Sequence, residues 1–178
     1  ELVSERLPFL KNVIMIGNNR HPGMFTWDEV VKMGETVSDE ELAASMTGTD
    51  PDDVAIMIYT SGTTGFPKGV MLTHHNIITN AIAHVECLNL SSVDRMCIAV
   101  PFAHCFGCVG SNISCIVAGA AMVVVETFDP AQVLKAVEKE RCTVLNGVPT
   151  MFIMELELLA KENYDVSSLR TGIVAGAA

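Results

Sequence analysis

Positive charge is scarce in this chain. Eleven Lys and Arg stand against 21 Asp and Glu in 178 residues, a formal net charge of −10. Such a field repels polyanions and gives no general footprint for nucleic acid or for an anionic membrane surface. A single phosphate ligand is compatible with it, because one local site needs few charges. No stretch is given over to polar low-complexity sequence, which excludes disorder for most of the length. The first residues, ELVSERLPFLKN, lack the basic start and apolar run of a secretory signal. Charge of either sign is absent from Cys105 to Val125, long enough for a membrane span. That run contains Gly107, Gly110, Ser111, Asn112, Ser114 and Gly119 and ends in the β-branched Ala121–Val125. It therefore reads as a buried helix, a glycine stop and a buried strand rather than a span.

What is present is apolar: 49% of residues are hydrophobic and 18% charged, enough to bury a sizeable core. Six cysteines, Cys87, Cys97, Cys105, Cys108, Cys115 and Cys142, fall mostly inside apolar segments. They read as free, buried thiols of a reducing, cytoplasmic compartment. Short apolar runs alternate with helix-period segments, which predicts an α/β fold with a mostly parallel sheet and flanking helices. A strand is expected over Leu10 to Ile16, then helices over Thr26 to Met33 and Ser38 to Ala44, each with an N-cap at its first residue. Residues 1–49 form a lead-in and 50–178 the main α/β portion, with the polar turn TGTDPDD between them. Strands follow at Val54 to Tyr59, Met96 to Val100, Met122 to Glu126, Thr143 to Asn146 and Thr171 to Ala175. The helices run from Thr73 to Leu88, from Asp129 to Glu140 with Pro130 at its first position, and from Pro149 to about Lys161. In the first of these, Ile77, Ile78, Ala81, Ile82 and Val85 take core spacing. A strand that ends in GIVAGAA with no helix after it predicts a fragment of a larger fold.

The segment YTSGTTGFPKGV, Tyr59 to Val70, is the informative one. Gly62, Gly65 and Gly69 let backbone N–H groups converge on an anion, and Thr60, Ser61, Thr63 and Thr64 add hydroxyl donors. Lys68 brings a mobile positive charge. The loop leaves a buried strand and is expected to enter a helix, the usual place for a phosphate cradle. A surface turn rich in small residues has the same composition. It is not a Walker A loop, since Pro67 precedes Lys68 and Gly69 follows it.

YTSGTTGFPKGVMLTH resembles the signature loop of the adenylate-forming (AMP-binding) superfamily. Pro101 to Gly107, PFAHCFG, is similar to its second motif, Gly147-Val148-Pro149-Thr150 to its substrate-pocket strand end, and Ser168 to Ala177 to the approach to its adenine loop. PFAHCFG, FDPAQVL and GVPTMF resemble the fatty-acid and medium-chain acyl-CoA synthetases most. The resemblance implies ATP-dependent activation of a carboxylic acid to an acyl-adenylate, then transfer to CoA, with Mg2+ accompanying ATP. It implies that Thr60, Ser61, Gly62, Thr63, Thr64, Gly65 and Lys68 hold the phosphates and that His104 gates the reacting carboxylate. Gly176 and Ala177 would lie against adenine, and Gly147 and Val148 along the acyl tunnel. The magnesium-binding glutamate, the ribose aspartate and the small C-terminal domain with its lysine have no counterpart in this sequence. The expectation is an incomplete chain, inactive alone, of open oligomeric state.

Other readings stay open beside it. One is a nucleotide-binding module without catalysis. Another is a zinc site of His104, Cys105, Cys108 and Cys115. His74 and His75 read as exposed or capping residues rather than metal ligands. Met151, Phe152, Met154, Leu156, Leu158 and Leu159 make an apolar face, core or acyl wall. Lys135, Glu138, Lys139, Glu140 and Arg141 read as a solvated helix face.

Overall fold

The computed structural model describes residues 4–17, 19–60 and 65–176, and its contacts separate into two units, Glu1–Asp50 and Pro51–Ala178. Ser61, Gly62, Thr63, Thr64 and Ala177 lie outside the described residues.

In the first unit, strand β1 (Ile14–Met15) pairs in parallel with β2 (Phe25–Thr26). Helices α1 (Trp27–Gly34) and α2 (Asp39–Thr47) follow. Both helices begin where their caps place them. Thr26 Oγ1 accepts from the Glu29 N–H while Glu29 Oε2 accepts from the Thr26 N–H, and Ser38 and Glu41 repeat the exchange. The strand expected over Leu10 to Ile16 contracts to two residues. Lys11 and Asn12 interrupt its apolar pattern, and pairing survives only where Ile14 and Met15 meet Phe25 and Thr26. No described residue of this unit is fully buried.

The second unit opens with an antiparallel hairpin of β3 (Val54–Thr60) and β4 (Lys68–Thr73). The glycine-rich loop therefore returns into a strand before it reaches helix α3 (His74–Leu88), which corrects the expected strand–loop–helix order. The cause is the second apolar run, VMLT, whose Val70 and Leu72 stand opposite Ile58 and Ile56. Nor is β3 the buried strand expected. Ile56 and Leu72 pack on Ile77, Ala81 and Val109, while Val54, Met57 and Tyr59 are exposed. A hairpin has one packed face, and the uniform apolarity of VAIMIY hid the alternation. In α3 the Thr73 cap is reciprocated by Asn76. Ile77 and Ala81 are buried, but Ile78 and Ile82 are exposed, contrary to the expected core face.

Beyond α3 lie β5 (Arg95–Ile98), α4 (Cys105–Gly107), a π-helical segment Cys108–Ile113, and α5 (Ser114–Ala118). The chain continues through β6 (Ala121–Val124), α6 (Pro130–Glu140), β7 (Val144–Asn146) and α7 (Pro149–Leu159). The sheet is parallel in the order β6-β5-β7. Thr171 and Val174 add parallel bridges to Val144 and Gly147, so the last expected strand is present as two bridges rather than a ladder. The core is Met96, Cys97 and Ile98 of β5 against Val133 and Val137 of α6 and Val144 of β7. Each such valine, fully enclosed, contributes roughly 2 kcal/mol of burial. Among the described residues no helix is long and apolar enough to cross a membrane.

Two further expectations change. All six cysteines are free, but Cys87 and Cys105 are exposed rather than buried. The charged run at the end of α6 is more than a solvated face. Glu138 accepts from the Asp165 N–H, Arg95 reaches Glu140, and Arg141 pairs with Asp165. A buried polar lock holds the N-terminal side of the sheet. Asp94, 2% exposed, accepts from Arg170 and from the Thr143 hydroxyl, and Arg170 also donates to the Leu88 and Asn89 carbonyls at the end of α3. The Arg170 guanidinium holds the Asp94 carboxyl far below the ordinary carboxylate range.

Candidate active site

Strands β5 and β7 run in parallel, so their carboxyl ends open on the same side of the sheet, where α/β folds place ligands. From β5 the chain passes through Val100 and Pro101 into a tight turn that ends in α4. Gly107 makes the turn feasible, because a β-carbon there would collide with the Pro101 carbonyl. His104 caps this short helix, its Nδ1 accepting the Phe106 N–H at 3.1 Å. In the neutral ring that contact puts the proton on Nε2, leaving Nε2–H as the donor.

From β7 the chain continues into Gly147 and Val148. The Gly147 N–H donates to Ile173 and the Gly147 carbonyl accepts from Ala175, which draws the 171–176 segment alongside. Gly176 has φ of +87° and stands opposite Val148, a β-carbon there falling 3.1 Å from Val148 Cγ1.

Asn146, the last residue of β7, joins the two sides. It is fully buried. Its Nδ2 donates to Ser111 Oγ and to the Gly110 carbonyl in the π-helical segment, and its Oδ1 accepts from the Ile173 N–H. The π-helical turn is itself braced by Ser111 and Ser114, whose hydroxyls donate five residues back to Phe106 and Val109. The sequence marked Asn146 only as a strand end. A polar side chain closing an otherwise apolar strand was its one visible signal.

Between these parts lies a cavity of about 810 Å³. His104, Val148 and Gly176, three of the residues the sequence pointed to, line it together. Gly147 precedes Val148 in the chain but does not itself line the cavity. The sequence did not single out Asn80 and His84 of α3, which also line the cavity, although their i, i+4 spacing as polar residues in an apolar helix was there to be read. Met151 of the apolar face of α7 is on the wall, whereas Met154 and Leu156 are exposed. Lys68 and Thr60 are cross-strand partners at the loop end of the hairpin, both exposed, and Gly65 between them has φ of +87°. Neither Lys68 nor Thr60 lines the cavity.

The zinc set is not assembled. Cys115 is fully buried and its thiol contacts Met96 Sδ at 3.7 Å, while Cys105 is exposed beside His104. Among the described residues no three His, Cys, Asp or Glu side chains are grouped to hold a metal. His74 and His75 are exposed, and their N–H groups donate to the Asp53 and Pro51 carbonyls.

The chain is 59% identical over 99% of its length to YngI of Bacillus subtilis (strain 168), whose name places it among acyl-CoA synthetases. It is 37% identical over 97% of its length to the mitochondrial medium-chain acyl-CoA ligase ACSF2 of Danio rerio. It covers 32% and 29% of those two proteins, so the chain spans about a third of the curated relatives it matches. Among solved structures, the anthranilate CoA ligase AuaEII in complex with anthranoyl-AMP superposes with a TM-score of 0.79 at 25% identity, over 97% of this chain and 33% of that one. ATP-bound MatB from Rhodopseudomonas palustris does so with a TM-score of 0.65 at 29% identity, over 77% of this chain and 29% of that one. The family described as AMP-binding enzyme matches residues 10–178, and the chain belongs to that family.

Proposed function

We propose that the protein carrying this sequence activates a carboxylic acid with ATP and transfers the acyl group to CoA. The observation that carries this is the single apolar-walled cavity on which His104, Val148 and Gly176 converge from three separate segments. A carboxylate oxygen attacks the α-phosphorus of ATP, and the bond to pyrophosphate breaks. The thiol of CoA then attacks the acyl carbon, and AMP leaves. The departing pyrophosphate gathers negative charge, which a cation and aligned donors must offset. Lys68, with the hydroxyls and N–H groups of Thr60, Ser61, Gly62, Thr63, Thr64 and Gly65, is suited to that task. The exposed position of Lys68 beside Thr60 and the turned backbone at Gly65 support the assignment. His104 lines the cavity, and in this reading its Nε2–H donates to the reacting carboxylate while Gly147 with Val148 borders the acyl chain. Gly176 and Ala177 take the adenine side.

Mg2+ would neutralise charge on the ATP phosphates. The loop hydroxyls are chemically fitted to such a complex, and no carboxylate of the described residues is assigned to the metal. Residues 50–178 carry the nucleotide and acyl sites in this reading, and 1–49 lead into them. Free cysteines fit a reducing, cytoplasmic setting. A fatty acid fits the wall, which is largely aliphatic.

Carboxylate-dependent ATP–pyrophosphate exchange, run over acids from acetate to palmitate, tests the proposal. Exchange should require acid and fall by at least 100-fold in Lys68→Ala. ATP binding without acid-dependent exchange would replace this reading with that of a nucleotide-binding module.

A further inference from the structure

One buried polar atom has no part in that chemistry. Nδ1 of His84 is sealed from solvent and has no hydrogen-bond partner, and it is the one such side-chain nitrogen or oxygen among the described residues. Buried nitrogens of this kind are ordinarily paired, so this orphan bears on the tautomer of a ring that lines the cavity. The ring leaves α3 one turn after Asn80, and both side chains line the cavity of His104. Its Nδ1–Cε1 edge is pressed on Gly110, where a β-carbon would come within 3.0 Å of Cε1 and 3.2 Å of Nδ1. Glycine at that position makes the seat for the imidazole.

A proton on Nδ1 would be a buried N–H with nothing to receive it. The neutral ring therefore carries its proton on Nε2, which is left as a donor at the cavity. The Asn80 amide supplies a second donor on the same helix face. Around them the wall is aliphatic: Leu72, Val100, Val109, Met151 and Ile173. No Lys or Arg lines it among the described residues, so this part of the wall offers no cation to a second carboxylate on the substrate. A wholly apolar chain would in turn leave both donors unpaired.

We propose that His84, aided by Asn80, selects a carboxylic acid that bears an uncharged hydrogen-bond acceptor, a hydroxyl or carbonyl, on an otherwise apolar chain. This rests on the acyl-activating reading of the same cavity. His84 acts as a specificity-determining residue, and the chemistry at the carboxylate proceeds without it.

The test compares kcat/KM for AMP formation on unbranched acids of six to ten carbons, their hydroxy and oxo derivatives with the substituent moved along the chain, and the matching dicarboxylates. At one substituent position the derivative should exceed its parent acid by about tenfold, with the dicarboxylate below both. His84→Leu should erase that preference, and His84→Gln, which keeps a donor, should restore part of it. A parent acid preferred over every derivative, or a preference unchanged in His84→Leu, would overturn the inference and leave the proposed function standing. If the whole protein that carries this sequence activates no acid, that function fails, and the inference is then decided by the 15N shifts of the His84 ring in the labelled protein. Movement of Nε2 on adding hydroxy acid but not parent acid upholds it, and a fixed signal rejects it.

Discussion

Glu155 is the residue whose chemistry departs most from its surroundings. It lies on α7, is 4% exposed, and no hydrogen bond or ion pair is made to its carboxyl among the described residues. Burial alone pushes its pKa up to about 7. Because the folded pKa is raised above the unfolded one, the folded state holds this proton more tightly. The resulting stability is fully present below about pH 4.5, is lost as pH rises toward 7, and stays lost above it. Glu155→Gln removes the penalty and should raise stability at pH 8 by on the order of 3 kcal/mol, with little effect at pH 4. Urea unfolding at the two pH values checks this, and an equal effect at both would mean that the carboxyl is solvated. Nothing nearby in the chain marks it, since Glu155 stands among Met154, Leu156 and Leu158 of the apolar face. Asp94 and Arg170 were similarly opaque: they lie far apart in the chain and meet only because β5 and the 171–176 segment flank β7.

Elements were far more legible than contacts, and for a local reason. Thr26, Ser38, Thr73 and Asp129 cap the helices they were expected to cap, because a cap and its partner are three residues apart and both are written in one short stretch. Strand β4 escaped because a run as short as VMLT declares itself a strand only through its pairing with Ile58 and Ile56 of β3. His104 and Val148 were legible through resemblance; His84 was marked only by its spacing from Asn80, and its contact with Gly110 is written in no local stretch. The turn from Pro101 to Gly107 belongs to the same scale. Gly107→Ala would place a β-carbon 2.6 Å from the Pro101 carbonyl carbon and 2.9 Å from the Phe102 nitrogen, all backbone, so the turn must move. A loss of about 2 kcal/mol is expected. If the turn also positions His104, KM for the acid should rise more than kcat falls. An unchanged unfolding midpoint would show that the turn relaxes without cost.

At the scale of the molecule, burial is unevenly distributed. Every fully buried residue described belongs to the second unit, while α1 and α2 have none. Within the second unit the stabilising contacts are long-range: β5 pairs with both neighbours, α6 covers it, and Arg170 ties the end of α3 to Asp94. The first unit is held chiefly by capping boxes, the Arg20–Glu29 pair and a two-residue bridge, interactions worth about 1 kcal/mol or less apiece. Local opening should therefore cost far less there than in the sheet. Native-state hydrogen exchange by mass spectrometry should find the amides of α1 and α2 exchanging at least 100-fold faster than those of β5, β7 and α6. Arg170→Met should accelerate exchange in α3 and β5 and leave α1 and α2 where they were. Equal protection across both units would mean that the first 50 residues open only with the sheet, and that stabilising contacts beyond their own caps hold them.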